Sequence, residues 1–352
     1  MIPLALFRVV VPFVVCAALV PVVRKLSVRW GLVDRPGPLK IHSRPVPRLG
    51  GVAAFAAISG GTVFIRDPEP RASAYLFAAL GLVWLAGLAD DLRSVSPYVR
   101  LAAQAASGVF LWLGGWRFSI AEVLTRSSGT NLLFVLVLVI AFVNAFNFLD
   151  GCDGLAAGVA AIIGVAYGAI SRSVAGYTLT SSFACCLAGA CAGFLPFNWP
   201  AASIFLGDSG STVLGFCVAA LALAPPQPSH APTLLAFAPI ILAGLPLVDA
   251  ALAIIRRLRS GSSALLGDRA HLYDQMLARG WSSRRVALVC YAITMLLGIA
   301  AWSGVHIGIR GVLVAWLLSV AGLATVAVWL GALQPERQRV RREEPINFSS
   351  CN

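Results

Sequence analysis

Charge is what this sequence has least of. Only 12% of its 352 residues are Asp, Glu, Lys or Arg, against 59% hydrophobic residues, and the mean hydropathy is +0.84. Soluble domains carry about a quarter charged residues, so an ordinary soluble domain is excluded. Cysteine chemistry is lacking as well. The eight cysteines, at 16, 152, 185, 186, 191, 217, 290 and 351, contain no C-x-x-C pair and no zinc spacing. They lie mostly in apolar segments and read as small buried hydrophobes. No Gly-Lys-Ser/Thr follows a glycine-rich stretch, which excludes a P-loop. No repeat period is visible.

What is present is apolar sequence in runs near the length that spans bilayer hydrocarbon, about 20 residues. Eleven spans are expected, at about 3–23, 50–66, 74–89, 98–115, 131–147, 154–171, 178–195, 212–224, 233–256, 284–303 and 311–331. The fold class is therefore all-α, a polytopic integral membrane protein. A single transmembrane domain is expected over 1–333, with a short disordered or surface-bound tail at 334–352. Arg8 and the apolar run around it resemble a signal peptide, but no small-residue cleavage site follows, so an uncleaved first span is expected.

The net charge of +12 could point to nucleic acid, but in this setting it reflects topology. If the loop after the first span is cytoplasmic, 20 of the 27 Lys and Arg residues fall on that side. The expected orientation has the N-terminus outside and the C-terminus inside. The acidic residues follow the same division: of fifteen, only Asp67, Glu69 and Glu122 fall outside. Asp249 lies within the ninth span, about 10 Å before Arg256 at helical rise. An ionisable group at hydrocarbon depth costs about 2.5–3.5 kcal/mol on insertion scales, so such groups usually line a polar site. A transporter would place them near mid-membrane on broken helices. Here they collect at one interface, as a site facing the cytoplasm at headgroup level would require.

Five loops carry the candidate chemistry. The first, Asp34 to Gly51, is broken by prolines and offers Lys40, His42 and Arg44 as donors to anions. The second carries Asp90-Asp91 at a helix C-terminus, where the dipole disfavours negative charge unless a cation or a protonatable phosphate offsets it. The third reads Asn144-Ala-Phe-Asn147-Phe-Leu-Asp150-Gly-Cys-Asp153-Gly-Leu, and its glycines let backbone approach a ligand. The fourth runs from Asn198 through Phe205 to Gly207-Asp208-Ser-Gly-Ser211, one carboxylate with hydroxyls, a set suited to a hydrated magnesium bridging phosphates. The fifth is strongly basic, and its Arg269 and His271 suit a diphosphate. Solvated acids, a positive-inside loop and packing aromatics are the plain readings of these features taken singly.

Together the motifs resemble the polyprenyl-phosphate N-acetylhexosamine-1-phosphate transferase family, of the glycosyltransferase 4 type. The resemblance rests on Asp90-Asp91, on Asn144-x-x-Asn147-x-x-Asp150-Gly-x-Asp153-Gly-Leu and on Pro200-Ala-x-x-x-Phe205-x-Gly-Asp208-x-Gly-Ser, in the expected order. It implies about ten or eleven helices and transfer of a sugar 1-phosphate from a UDP-amino sugar to a polyprenyl phosphate, usually undecaprenyl phosphate, with release of UMP. It implies dependence on Mg2+, with Mn2+ as a substitute. By the same resemblance Asp208 is a metal ligand and Asn147 a second. Asp90 and Asp91 handle the lipid phosphate, with the acting member left open, and Phe205 and Asp153 contact the uracil. Asp150, Asn198, Lys40, His42, Arg44 and Arg269 are placed with the substrates, and His271 with the catalytic set.

The family often has His-x-His-His in the last loop, where this chain has His271-Leu-Tyr273-Asp274. That departure favours the GlcNAc-1-phosphate branch over the muramoyl-pentapeptide branch. The expected location is the inner (plasma) membrane, with the active site cytoplasmic; nucleic acid is not an expected partner, and a homodimer is left open. A multi-pass transporter is the rival from another class. A CDP-alcohol phosphotransferase would follow its Asp-Gly with Ala-Arg, which is absent after Asp150 and Asp153.

Overall fold

Backbone polar groups in hydrocarbon have no water to bond, so spanning segments close their hydrogen bonds internally as helices. The computed structural model describes residues 2–36, 44–63, 70–120, 127–173, 178–223, 225, 233–261, 263, 270–329 and 331. The helices are α1 (Ile2–Arg29), α2 (Gly50–Val63), α3 (Pro70–Leu92), α4 (Pro97–Leu113), α5 (Ser128–Leu149), α6 (Leu155–Arg172) and α7 (Thr178–Asn198). They continue with α8 (Asp208–Leu221), α9 (Phe237–Leu242), α10 (Gly244–Arg259), α11 (Leu272–Ala278), α12 (Ser283–Ile307) and α13 (Ile309–Trp329). Seven described helices are long and apolar enough to cross a membrane, and α2 and α8 are shorter apolar helices. The protein is a multi-pass, all-α membrane protein. The tail expected at 334–352 lies outside the described residues.

Among the described residues all eleven expected spans fall on helix, but four are not long apolar spanning helices. Helix α2 has 14 residues, α4 has 17, and the eighth and ninth spans also fall short. The eighth is α8, 14 residues long, or about 21 Å at 1.5 Å per residue, short of the roughly 30 Å of hydrocarbon. The ninth is broken. A 3-10 turn over Thr233–Ala236 leads into α9, and the chain bends at Ala243 before α10 begins. Pro246 sits in the first turn of α10, where its missing N–H is one that the helix leaves unsatisfied anyway.

The molecule is built around α8. Every residue of α8 from Ser209 to Leu221 is buried, and a helix apolar on all sides belongs inside a bundle. It packs against α2, α3, α5, α6, α7 and α9. By contrast α12 and α13 expose Leu288, Leu296, Ile299, Leu313 and Leu318, the apolar surface that lipid covers. Lipid tails are as apolar as leucine, so close packing of small residues has to hold such helices together. A Cβ at Gly87 of α3 would stand 2.6 Å from the carbonyl oxygen of Asp208, and one at Gly51 of α2 would meet the backbone of Gly210.

The proline-rich first loop is pinned by a two-stranded antiparallel ladder, β1 (Val33–Asp34) with β2 (Val46–Pro47). The loop before α8 is stitched to it: Phe205 N donates to Pro47 O at 2.7 Å, and Gly50 N donates to Phe205 O at 2.9 Å. These bonds bring the first and fourth motif loops together at one end of the bundle.

Candidate active site

The ends of α3, α5 and α7 and the beginnings of α6, α8 and α11 surround one cavity of about 1080 Å3. Its wall brings together nine of the expected site residues: Arg44, Asp91, Asn147, Asp150, Asp153, Asn198, Phe205, Asp208 and His271. Lys40, His42 and Arg269 lie outside the described residues.

Asp208 stands in the first turn of α8, where the exposed N–H groups favour negative charge. Asn147 Nδ2 donates to Asp208 Oδ1 at 2.5 Å and to Ser211 Oγ at 3.1 Å, tying the end of α5 to α8. Asp91, 2% exposed, reaches the same helix from α3. Its Oδ1 accepts from Asp208 N and its Oδ2 from Ser209 N, both at 2.9 Å. It thus caps α8 as a side-chain N-cap would, but from another helix. Gly207 makes room for it: its φ of 75° suits glycine, and a Cβ there would meet both Asp91 oxygens at 2.8 Å.

Asp90 lies beside Asp208, whose pKa is raised by burial first and by Asp90 in addition. Asp90 Oδ1 accepts from Val95 N at 2.7 Å, and its Oδ2 from Arg100 Nη1 at 2.8 Å. Arg100 also lines the cavity, and Asp90 is joined to it through Arg100 and Asp208.

Asp150 ends α5 at the cavity wall. Burial, reinforced by Asp208, Asp91 and Asp153, pushes its pKa well above the ordinary carboxylate range. Asp153 Oδ2 accepts from Ala202 N at 3.0 Å. Asn198 uses both ends of its amide on backbone, accepting from Gly154 N and donating to Ile204 O, each at 3.0 Å. It joins the third and fourth motif loops at a point where the turn needs Gly154 in the left-handed region, with φ of 75°. Cys152 also lines the cavity, but burial pushes its thiol up to about 12, which leaves no thiolate for covalent chemistry.

The same wall carries cations that sequence reasoning did not assign to the site one by one. Arg48, Arg100, Arg257 and Arg284 all line the cavity. The Arg257 guanidinium lies 4.9 Å over the Phe148 ring, and Phe148 in turn lies 5.3 Å from His271. One signal could have singled out Arg100. It sits in the first turn of a helix capped by Ser96 and begun by Pro97, where the dipole disfavours a cation. Nothing in the sequence distinguishes Arg284 from its neighbour Arg285, which stacks on Trp281 instead.

Asp208, the Asn147 carboxamide, the Ser211 hydroxyl and Asp150 are hard oxygen donors. No group of three His, Cys, Asp or Glu that could hold a metal ion occurs among the described residues. A site with few carboxylates, open to phosphate and water, suits Mg2+, whereas zinc favours closed sets of nitrogen and sulfur.

Comparison with known proteins shows the family. Residues 73–225 match the family model "Glycosyl transferase family 4". The chain is 33% identical to a decaprenyl-phosphate N-acetylglucosaminephosphotransferase of Mycobacterium tuberculosis, over 86% of this chain and 84% of the relative. It is 31% identical to a probable undecaprenyl-phosphate N-acetylglucosaminyl 1-phosphate transferase of Bacillus subtilis, covering 84% and 85%. It is 30% identical to the undecaprenyl-phosphate alpha-N-acetylglucosaminyl 1-phosphate transferase of Escherichia coli K12, covering 78% and 77%. The family match spans Asp90-Asp91, Asn147, Asp150 and Asp208, and the chain belongs to glycosyl transferase family 4.

Proposed function

We propose that this protein transfers N-acetylglucosamine 1-phosphate from the UDP-sugar to a polyprenyl phosphate and releases UMP, the first step of lipid-linked cell-wall or surface polysaccharide synthesis. The observation that carries the reading is the cavity itself, with acids gathered about Asp208 and arginines around them. Both substrates are phosphate esters, and arginine is the side chain best shaped to hold them. The names of the relatives supply the sugar and the class of acceptor.

In the proposed reaction, a phosphate oxygen of the lipid attacks the sugar-bearing phosphorus of the donor. A new P–O bond forms there, the bond to the UMP oxygen breaks, and UMP leaves with its electron pair. Such transfers need alignment and charge neutralisation more than covalent groups on the protein. Asp208 with the Asn147 carboxamide oxygen would hold Mg2+, which would supply positive charge against the phosphates of the donor. Asp91 positions Asp208 through the α8 backbone. Arg100, paired with Asp90, receives the lipid phosphate. The second pKa of a phosphate is about 6, so no strong base is required. Phe205 and Asp153 take the uracil end, and His271 and the neighbouring arginines, Arg269 included, take the diphosphate. Lys40, His42 and Arg44 add donors from the first loop. The active site would face the cytoplasm from the inner membrane, with the N-terminus outside.

The test is purified protein with polyprenyl phosphate, Mg2+ and a panel of UDP-sugars, scored for UMP release. UMP release with UDP-N-acetylglucosamine that requires the lipid is expected. Release only with UDP-muramoyl-pentapeptide, or none with any donor, overturns the reading.

A further inference from the structure

Asp249 has no part in the proposed transfer, yet it is an acid buried in α10, the second helix of the broken ninth span. It is 3% exposed, as is His271. The two meet across 22 residues of sequence: His271 Nδ1 and Asp249 Oδ2 stand 2.7 Å apart. The second oxygen, Oδ1, accepts from Leu272 N at 2.8 Å, at the start of α11. Each carboxylate oxygen therefore has one donor, and both donors belong to the turn that brings His271 to the cavity wall. Tyr273 stacks parallel to the imidazole, with ring centroids 5.7 Å apart, which limits the ring's rotation.

An imidazole presents two chemically distinct nitrogens, and the partner of one decides what the other can do. A carboxylate oxygen only accepts, so the nitrogen facing it must carry a proton. We infer that Asp249 is a positioning residue for His271: it keeps Nδ1 protonated and turned into the protein, so that Nε2 is the nitrogen offered to the cavity. This rests on the proposed placement of His271 against the donor's diphosphate. It also gives a reason for α10 to begin where it does. The break at Ala243 starts a new helix whose second turn carries Asp249 beneath the last motif loop.

The substitution Asp249→Asn keeps the size but leaves one acceptor oxygen for two donors. Loss of the partner behind a functional histidine costs about 10–100-fold at metal sites, and a fall of that size in kcat/KM is expected here. His271→Ala should cost about as much. The double variant should be no worse than about threefold below His271→Ala, because Asp249 acts through the ring. The chain has four histidines, so [15N]histidine-labelled protein gives few signals, and His271 is identified by the one lost in His271→Gln. Wild-type Nδ1 should carry a proton, and Asp249→Asn should populate the form protonated at Nε2 alone. A wild-type ring with a bare Nδ1 overturns the inference even if the variants fail to fold. So does a double variant whose losses multiply, or an Asp249→Asn that lowers Tm with tautomer and kcat/KM unchanged. If His271→Ala itself leaves kcat/KM unchanged, the diphosphate placement fails, while the tautomer measurement still decides what Asp249 does.

Discussion

Asp150 and Asp208 are neighbours with different constraints. The Asp208 side chain accepts from Asn147 and its backbone N–H donates to Asp91, while burial first and Asp90 beside it raise its pKa. Asp150 is held among like charges, and its pKa is raised. An unfolded Asp titrates near 4. With the folded pKa above that, the contribution of Asp150 to stability is full below about pH 4 and is lost as pH rises through the folded value. Asp150→Asn removes that loss. In detergent with a chelator, the variant should melt above wild type at pH 8, by a margin that shrinks toward pH 5, while its kcat/KM falls. A wild type more stable than Asp150→Asn at pH 8 would contradict the sign. Asp208→Asn keeps the shape of the helix start but removes the charge proposed to hold Mg2+. Turnover should be nearly abolished with insertion intact, and near-native UMP release would remove Asp208 from the metal site. The acids of this cluster were legible in the sequence because carboxylates are rare among apolar runs. The arginines of the same wall were not, one by one, since a basic loop reads first as topology. The brace formed by Asn198 was also hidden, because its partners Gly154 and Ile204 are set by packing rather than by spacing.

Among the elements, hydropathy located the seven long helices well and overestimated four shorter or broken ones. An apolar stretch of 14 residues enclosed by other helices looks in sequence like a short span, because lipid and protein interior reward the same side chains. The break in the ninth span had a visible cause in Pro239, Gly244 and Pro246, but apolar residues on both sides hid it. Contacts of α8 with its neighbours are specific in a way composition does not reveal. Gly87 and Gly81 lie on the same helix, yet a Cβ at Gly87 would collide with the Asp208–Ser209 backbone and one at Gly81 would meet nothing within 4 Å. Gly87→Ala should therefore shift the start of α8 and cost about 1–3 kcal/mol as overpacking does, with UMP release falling at least tenfold. Gly81→Ala should be neutral on both measures. Equal effects of the two substitutions would show that α3 and α8 do not depend on close backbone approach.

For the whole molecule, the charge count and the cavity make the same statement from separate starting points. The loops that hold most of the Lys and Arg are those that line the cavity, which lies at one end of the bundle. If that end is cytoplasmic, single cysteines replacing the exposed Arg93, Tyr98 or Arg259 in a cysteine-free background should resist an impermeant thiol reagent in intact cells and react after lysis. Labelling of all three before lysis would invert the orientation.

The position of α8 has a further kinetic meaning. Its start places Asp208 at the end of a bundle, where a water-soluble nucleotide can arrive from three dimensions. A lipid-borne phosphate can arrive only from two. Under the proposed transfer, the two reactants are thus counted in different units, moles per litre for the donor and mole fraction of membrane for the acceptor. The same enzyme would slow when its membrane is diluted with inert lipid, although nothing in the surrounding water had changed.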